Sequence, residues 1–148
     1  MKGIVLSGDS GSRLYPLTLG IPKQLLPIYD KPMIYYPIET LVKASIWEIL
    51  VITTSAQQPA FKGYLADGSS LNCMITYAIQ DEPKGIAEAL VIGKECIGND
   101  AVCLITGDTI ISGETLSQQL QKAFKAVEKA VMQQSLFRKI QMQTNTAK

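Results

Sequence analysis

Residues 1–18 read MKGIVLSGDSGSRLYPLT. An apolar run of strand type, Gly3-Ile4-Val5-Leu6, passes directly into a loop of Ser, Gly and Asp that closes on Arg13. A Gly-rich turn after a strand exposes backbone N–H groups, and where a helix or turn follows, these converge on an anion with the helix dipole assisting. Gly8 and Gly11 can bend where a side chain would collide, Ser10 and Ser12 add hydroxyl donors, and Arg13 supplies a fork suited to phosphate oxygens. The pattern is neither G-x-G-x-x-G nor a Walker A loop, so alone it reads equally well as a strand-to-helix turn with structural glycines. Asp9 is discordant, because a carboxylate stands where a bound phosphate least tolerates one.

Beyond this loop, strand-like and helix-like segments alternate. Ile49 to Ile52, Met74 to Ile79 and Ala101 to Ile105 share the continuous apolar character of Gly3 to Leu6, which suits strands of a parallel sheet covered on both faces. Met33 to Ala44, Ala56 to Ala66 and Ile86 to Ile97 carry apolar residues at helical spacing, with Gly or Pro at most joints. The order βαβαβαβ predicts an α/β domain with a Rossmann-like, doubly wound, mostly parallel sheet. In such sheets ligands sit at the carboxyl ends of the strands, and the opening loop is the first of those ends.

At 148 residues the chain is about one domain. With 14 Lys and Arg against 13 Asp and Glu, the formal charge of +1 gives no electrostatic argument for nucleic acid or an anionic membrane. No basic n-region precedes an apolar h-region, and no apolar run approaches about 18 residues. A cytoplasmic protein with small-molecule partners is the expectation. Cys73, Cys96 and Cys103 form no C-x-x-C pair and read as small buried hydrophobes in a reducing compartment. Histidine is absent, which removes the commonest general base and the commonest transition-metal ligand, so any chemistry leans on charge, orientation and a hard, oxygen-bound cation such as magnesium.

Two more stretches could carry chemistry. Between residues 22 and 37, prolines at 22, 27, 32 and 37 predict a stiff path around a rim rather than a helix or strand. There Lys23 could meet a phosphate and Gln24 could read an amide or carbonyl edge, although a solvated loop lysine is the commoner case. In LITGDTI, a strand ends in Gly107-Asp108, and a carboxylate at that place could ligate magnesium bridging phosphates. An Asp capping the following turn explains it equally well.

Taken together, LSGDSGSRLYPLTLGIPKQLLPIYDKPMIYYPIETL, AIQDEPKGIAEAL and LITGDTI resemble the signature blocks of bacterial glucose-1-phosphate thymidylyltransferases, in unbroken register over residues 1 to about 128. The block KQLLPIYDKPMIYYP is the most specific, since other sugar nucleotidyltransferases share the G-x-R and GD elements but vary there. The resemblance implies attack by the phosphate oxygen of glucose 1-phosphate on the α-phosphorus of dTTP, giving dTDP-glucose and pyrophosphate. No protein nucleophile is needed, as fits a chain without histidine. Carried over by position, Arg13 and Lys23 are catalytic. Leu6, Gly8, Asp9, Ser10, Gly11 and Ser12 line the nucleotide loop, Gln24 and Gln80 read the base, Gly85 lets the base approach, and Asp108 holds Mg2+.

The chain departs from the resembled pattern in several places. Position 9, Gly there, is Asp here, position 88, Gln there, is Glu here, and position 109, Asn there, is Thr here. Family members are nearly twice as long and are homo-oligomers, and their second half supplies sugar-binding residues and a second metal-binding Asp. Residues 1–131 therefore read as the nucleotide-binding part of a truncated nucleotidyltransferase, with doubtful activity. From Glu114 to Val131 an amphipathic helix is expected, with Leu116, Leu120, Phe124 and Val127 on one stripe. Residues 132–148 read as a divergent tail, expected to be disordered. Codons permitted for residues 131–148 can encode, in a shifted frame, a continuation like that of the family, so a frameshift origin is the hypothesis, and the gene's nucleotide sequence decides it. The alternative reading is a non-catalytic nucleotide-binding module or an inactive remnant. A dehydrogenase-like dinucleotide domain is disfavoured, because no acidic ribose ligand follows at about 20 residues.

Overall fold

The computed structural model describes residues 1–9, 11–82, 84–113, 115, 118–130 and 132. Four parallel strands, β1 (Lys2–Leu6), β4 (Glu48–Thr53), β5 (Met74–Ile79) and β6 (Val102–Thr106), lie in the order β5-β4-β1-β6. Val5 pairs with Val51 on one side and Ile105 on the other. The chain steps from β1 outward through β4 to β5 and then returns to place β6 against the opposite side of β1. The strand order thus reverses between β1 and β6, which is where open sheets of this winding hold their ligands.

Alternation along the strands sends side chains to two cores. On one face Val5, Ile49, Val51 and Ile75 pack with Ile38 and Leu41 of α1 (Tyr35–Lys43) and Phe61 and Leu65 of α2 (Gln58–Leu65). On the other, Ile4, Leu50 and Ile52 pack with Ala89 and Ile92 of α3 (Ile86–Ile92) and Ile97 of α4 (Lys94–Ile97). Each large apolar side chain so buried contributes about 1.5–3 kcal/mol. Helices on both faces are the doubly wound arrangement expected.

Several local expectations need correction. The helix expected from Ile86 to Ile97 is two helices, broken at Gly93, where the backbone lies so close to the sheet that a Cβ would stand 2.8 Å from Ile4 Cδ1 and could be added only by shifting that side chain. The proline-rich stretch is not a bare rim. It contains a 3-10 turn at Lys23–Leu25 and a hairpin of β2 (Pro27–Ile28) with β3 (Lys31–Pro32), and α1 already begins at Tyr35, with Pro37 in its first turn. The hairpin is held to α1 because Lys31 Nζ donates to both Glu39 carboxylate oxygens at 2.6 and 2.7 Å, and the Tyr36 hydroxyl donates to the Ile28 carbonyl at 2.7 Å.

The cysteines are half-buried rather than fully buried, and burial pushes the thiols of Cys73 and Cys103 up. Residues 118–130 are helical (α5). Leu120 and Phe124 pack on the α1 face of the core as the expected stripe requires, but Val127 is 45% exposed. Glu114, Leu116, Val131 and residues 133–148 lie outside the described residues, so the start of that helix and the expected tail do too.

Candidate active site

Leu6, Gly8, Asp9, Gln24, Gln80, Gly85 and Asp108 line one cavity of about 280 Å³, with Ile86 and Thr106 completing its wall. It opens at the carboxyl ends of the strands. Leu6 ends β1, Thr106 ends β6, and Gln80 follows β5, its N–H donating to the Thr53 carbonyl at 2.8 Å. Residues spread over more than a hundred positions meet because the parallel strands all point the same way.

The loop and the turn after β6 are pressed together. Gly107 N–H donates to the Leu6 carbonyl at 2.8 Å, and a Cβ on Gly107 would collide with Ser7 Oγ. Ser7 is fully buried and its hydroxyl has no partner. Gly11 sits in the left-handed region at φ 64°, and a Cβ there would lie 2.9 Å from both Lys23 Cβ and Thr18 Cγ2. That conformation favours glycine, and the close approach requires it.

Three charges cluster at the cavity rim. Lys23 Nζ lies 2.7 Å from Asp108 Oδ2 and 3.5 Å from Asp9 Oδ2. Asp9 Oδ1 also accepts the Gly11 N–H at 3.0 Å. Asp9 thus faces the site, and its carboxylate takes a loop donor that an anion would otherwise use. The hydrogen bond from Lys23 holds the Asp108 carboxyl below the usual carboxylate range against an opposing push from burial, and the same bond raises the Lys23 ammonium.

Two amides furnish the interior. Gln24 is 1% exposed, its carbonyl oxygen Oε1 has no partner, and its backbone carbonyl accepts the Ile34 N–H at 2.8 Å. A buried acceptor left unpaired costs about 1–3 kcal/mol. Gln80 Nε2 donates to Glu88 Oε2 at 2.5 Å and lies 3.5 Å from the Gly85 carbonyl. Gly85, at φ 92°, is the glycine that turns the chain into α3.

The remaining expected residues are placed less centrally. Ser12 and Arg13 are exposed in the 3-10 turn Ser12–Leu14, none of whose residues is buried, so Arg13 stands on the outer rim of the loop rather than in the cavity wall. Ser10 lies outside the described residues. Sequence reasoning passed over Ser7, Thr106 and Ile86. Thr106, whose hydroxyl is 2.7 Å from that of Thr109, carried a usable signal as the residue ending a strand just before Gly107-Asp108.

For a metal, Asp108 offers hard oxygen donors at the cavity rim. Among the described residues no group of three or more His, Cys, Asp or Glu side chains could hold an ion. That donor set fits magnesium, which needs only one or two carboxylates when substrate phosphates and water complete its shell.

A crevice of this polarity, at the reversal point of a parallel sheet covered on both faces, places the chain in the doubly wound ligand-binding α/β class. The family model described as nucleotidyl transferase matches residues 2–144, and the chain belongs to that family. It is 54% identical over 123 residues to glucose-1-phosphate thymidylyltransferase of Neisseria meningitidis serogroup A, covering 83% of this chain and 43% of that protein. It is 53% identical over 122 residues to the enzyme of the same name from Mycolicibacterium smegmatis, covering 82% and 42%. Among solved structures, one described as a glucose-1-phosphate thymidylyltransferase from Bacillus anthracis in complex with a sucrose superposes with a TM-score of 0.77 at 36% identity, over 85% of this chain and 50% of that one. A UDP-glucose pyrophosphorylase complexed with UDP-glucose gives 0.70 at 28% identity, over 84% and 53%. The chain therefore spans about half the length of the proteins it matches, and no helix among its described residues is long and apolar enough to cross a membrane.

Proposed function

We propose that this chain is the nucleotide-binding part of a glucose-1-phosphate thymidylyltransferase acting in the cytoplasm on dTTP and glucose 1-phosphate. The observation that carries the reading is the convergence of Gln24, Gln80 and Asp108 on one cavity at the strand-order reversal, with Lys23 ion-paired to Asp108 beside it. In this reading the triphosphate lies along residues 8–13, with backbone N–H groups, Ser10 and Ser12 as donors. The base enters between Gln24, Gln80 and Gly85. Lys23 neutralises phosphate charge, and Arg13 swings in from the rim to steady the pentavalent centre and the leaving pyrophosphate. The phosphate oxygen of glucose 1-phosphate forms a bond to the α-phosphorus as the bond from that phosphorus to pyrophosphate breaks. Asp108 would hold Mg2+, which supplies charge neutralisation across the phosphates.

A second reading is binding without turnover. Its support is a lysine already held by two carboxylates, which an incoming phosphate has to displace. Titration of dTTP, beside an assay of pyrophosphate release with glucose 1-phosphate and magnesium, separates the readings. Turnover establishes the enzyme, saturable binding alone establishes the module, and absence of both overturns the proposal.

A further inference from the structure

Asp9 and Asp108 approach one ammonium from two different loops. We infer that Asp9 is a second carboxylate ligand of the divalent cation that Asp108 would hold, and that Lys23 fills their shared slot only until the cation enters. The inference rests on the reading of Asp108 given above and extends it to a residue whose counterpart in the resembled motif is Gly. Lys23 Nζ lies 2.7 Å from Asp108 Oδ2 and 3.5 Å from Asp9 Oδ2, so each carboxylate aims one oxygen at a single positive centre. Asp9 is held in that pose from behind, because its Oδ1 accepts the Gly11 N–H at 3.0 Å and leaves Oδ2 to face the slot. The ammonium is a stand-in of the right sign, and it is well shielded, with the Lys23 side chain 15% exposed. A third oxygen belongs to the same wall. Gln24 lines the cavity together with Asp9 and Asp108, and its Oε1 has no partner although the residue is 1% exposed. Two carboxylates and an unpaired amide carbonyl form a set of hard oxygen acceptors, the donors that magnesium takes directly or through its retained waters.

Exchanging the ammonium for a doubly charged cation reverses the influence of Asp9 on an incoming triphosphate. Without the cation, two carboxylates share one positive charge, and Asp9 repels the phosphates. With it, both carboxylates are neutralised and the Lys23 ammonium is released toward the phosphates. The stem of Lys23 is fixed, since its Cβ lies 2.9 Å from the position a Cβ on Gly11 would take, so only the far end of the side chain has to swing. Cation and triphosphate then favour each other's binding by the same factor.

The test uses the purified full chain and Mn2+ in place of magnesium, with free Mn2+ measured by electron paramagnetic resonance in the absence of nucleotide. Asp9→Asn keeps an oxygen for the Gly11 N–H and removes the charge. It is expected to weaken Mn2+ binding about tenfold, because affinity follows the number of charged ligands. Lys23→Gln removes the competing ammonium and is expected to tighten Mn2+ binding about three- to tenfold. Lys43→Gln, the same change of charge at the exposed end of α1, should leave it within about twofold, as screening by salt requires. Absence of Mn2+ binding by wild type, equal binding by wild type and Asp9→Asn, or no gain in Lys23→Gln overturns the inference. Titration of dTTP without divalent cation judges the nucleotide reading separately, so the two can fail independently. Should the variants not fold, the aspartate side-chain carboxyl carbons of the wild type decide, followed by NMR during a Mg2+ titration. Those of Asp9 and Asp108 are expected to shift together, and movement of Asp108 alone, or of neither, overturns the inference.

Discussion

Lys23 and Asp108, separated by 85 positions in sequence, meet at 2.7 Å across the mouth of the cavity, and Asp9 reaches the same ammonium at 3.5 Å. One positive charge is shared by two negative ones before any phosphate arrives. The rim of the site is therefore already partly occupied by the protein's own carboxylates, and much of the site's behaviour follows from how easily they give way.

Replacing Asp9 removes one of them. The side chain is about half exposed, so the dielectric near it is close to that of water, where a like charge at 4 Å costs about 1 kcal/mol. Asp9→Gly also frees the Gly11 N–H and loosens Lys23. The expected result is dTTP affinity about five- to tenfold higher, with the gain shrinking as salt is added. Unchanged affinity at low salt would mean that Asp9 does not oppose the phosphates.

The Lys23–Asp108 pair makes stability depend on pH at both ends. Asp108 is held below its ordinary value of 3.8, so its contribution is present above that value and is lost as the pH falls through the lowered one. Lys23 is raised above 10.5, so its contribution is complete below that value and is lost as the pH climbs through the raised one. Because the pair is partly exposed, Asp108→Asn is expected to cost about 1 kcal/mol or less at neutral pH. In urea melts the difference between wild type and variant should close toward acid pH. A constant difference down to about pH 2, well below the carboxylate range, would assign the loss to packing instead.

Gln24 offers a different trade. Its buried Oε1 has no partner, and Leu is similar in volume without a group to satisfy. Gln24→Leu should leave the fold as stable as before or more stable by up to about 1–3 kcal/mol, while dTTP affinity falls. A variant that loses stability would show that the amide is satisfied in solution.

At the join of the two loops, Gly107→Ala should destabilise by about 1–3 kcal/mol, because its Cβ meets Ser7 Oγ beneath it. Ser7→Gly clears that space, so the double variant should be less unstable than the sum of the two singles. Denaturant midpoints of the four proteins give the coupling energy directly, and additivity would place the strain elsewhere.

The alternation of strands and helices was readable from the chain because periodicity is local: a stretch such as Ile49 to Ile52 shows its burial on both faces within a few residues. The loop glycines, Gln24 and Asp108 were likewise visible as residues at strand ends or in stiff turns, together with the resemblance to a known family. The break at Gly93 was not visible, because it depends on how closely α3 approaches Ile4 across the interface. The hairpin within the proline-rich stretch depends on Lys31 finding Glu39 on a helix not yet formed when the sequence is read. Strand order, and with it the point where the cavity opens, is set by which edges pair after collapse. The orientation of Asp9, the sharing of Lys23 and the polarity of Gln80 are consequences of that pairing. Hydrophobic pattern travels along the chain and can be read there, whereas a charge or an amide is oriented by neighbours that only the folded sheet brings within 3 Å or so, the reach of a hydrogen bond.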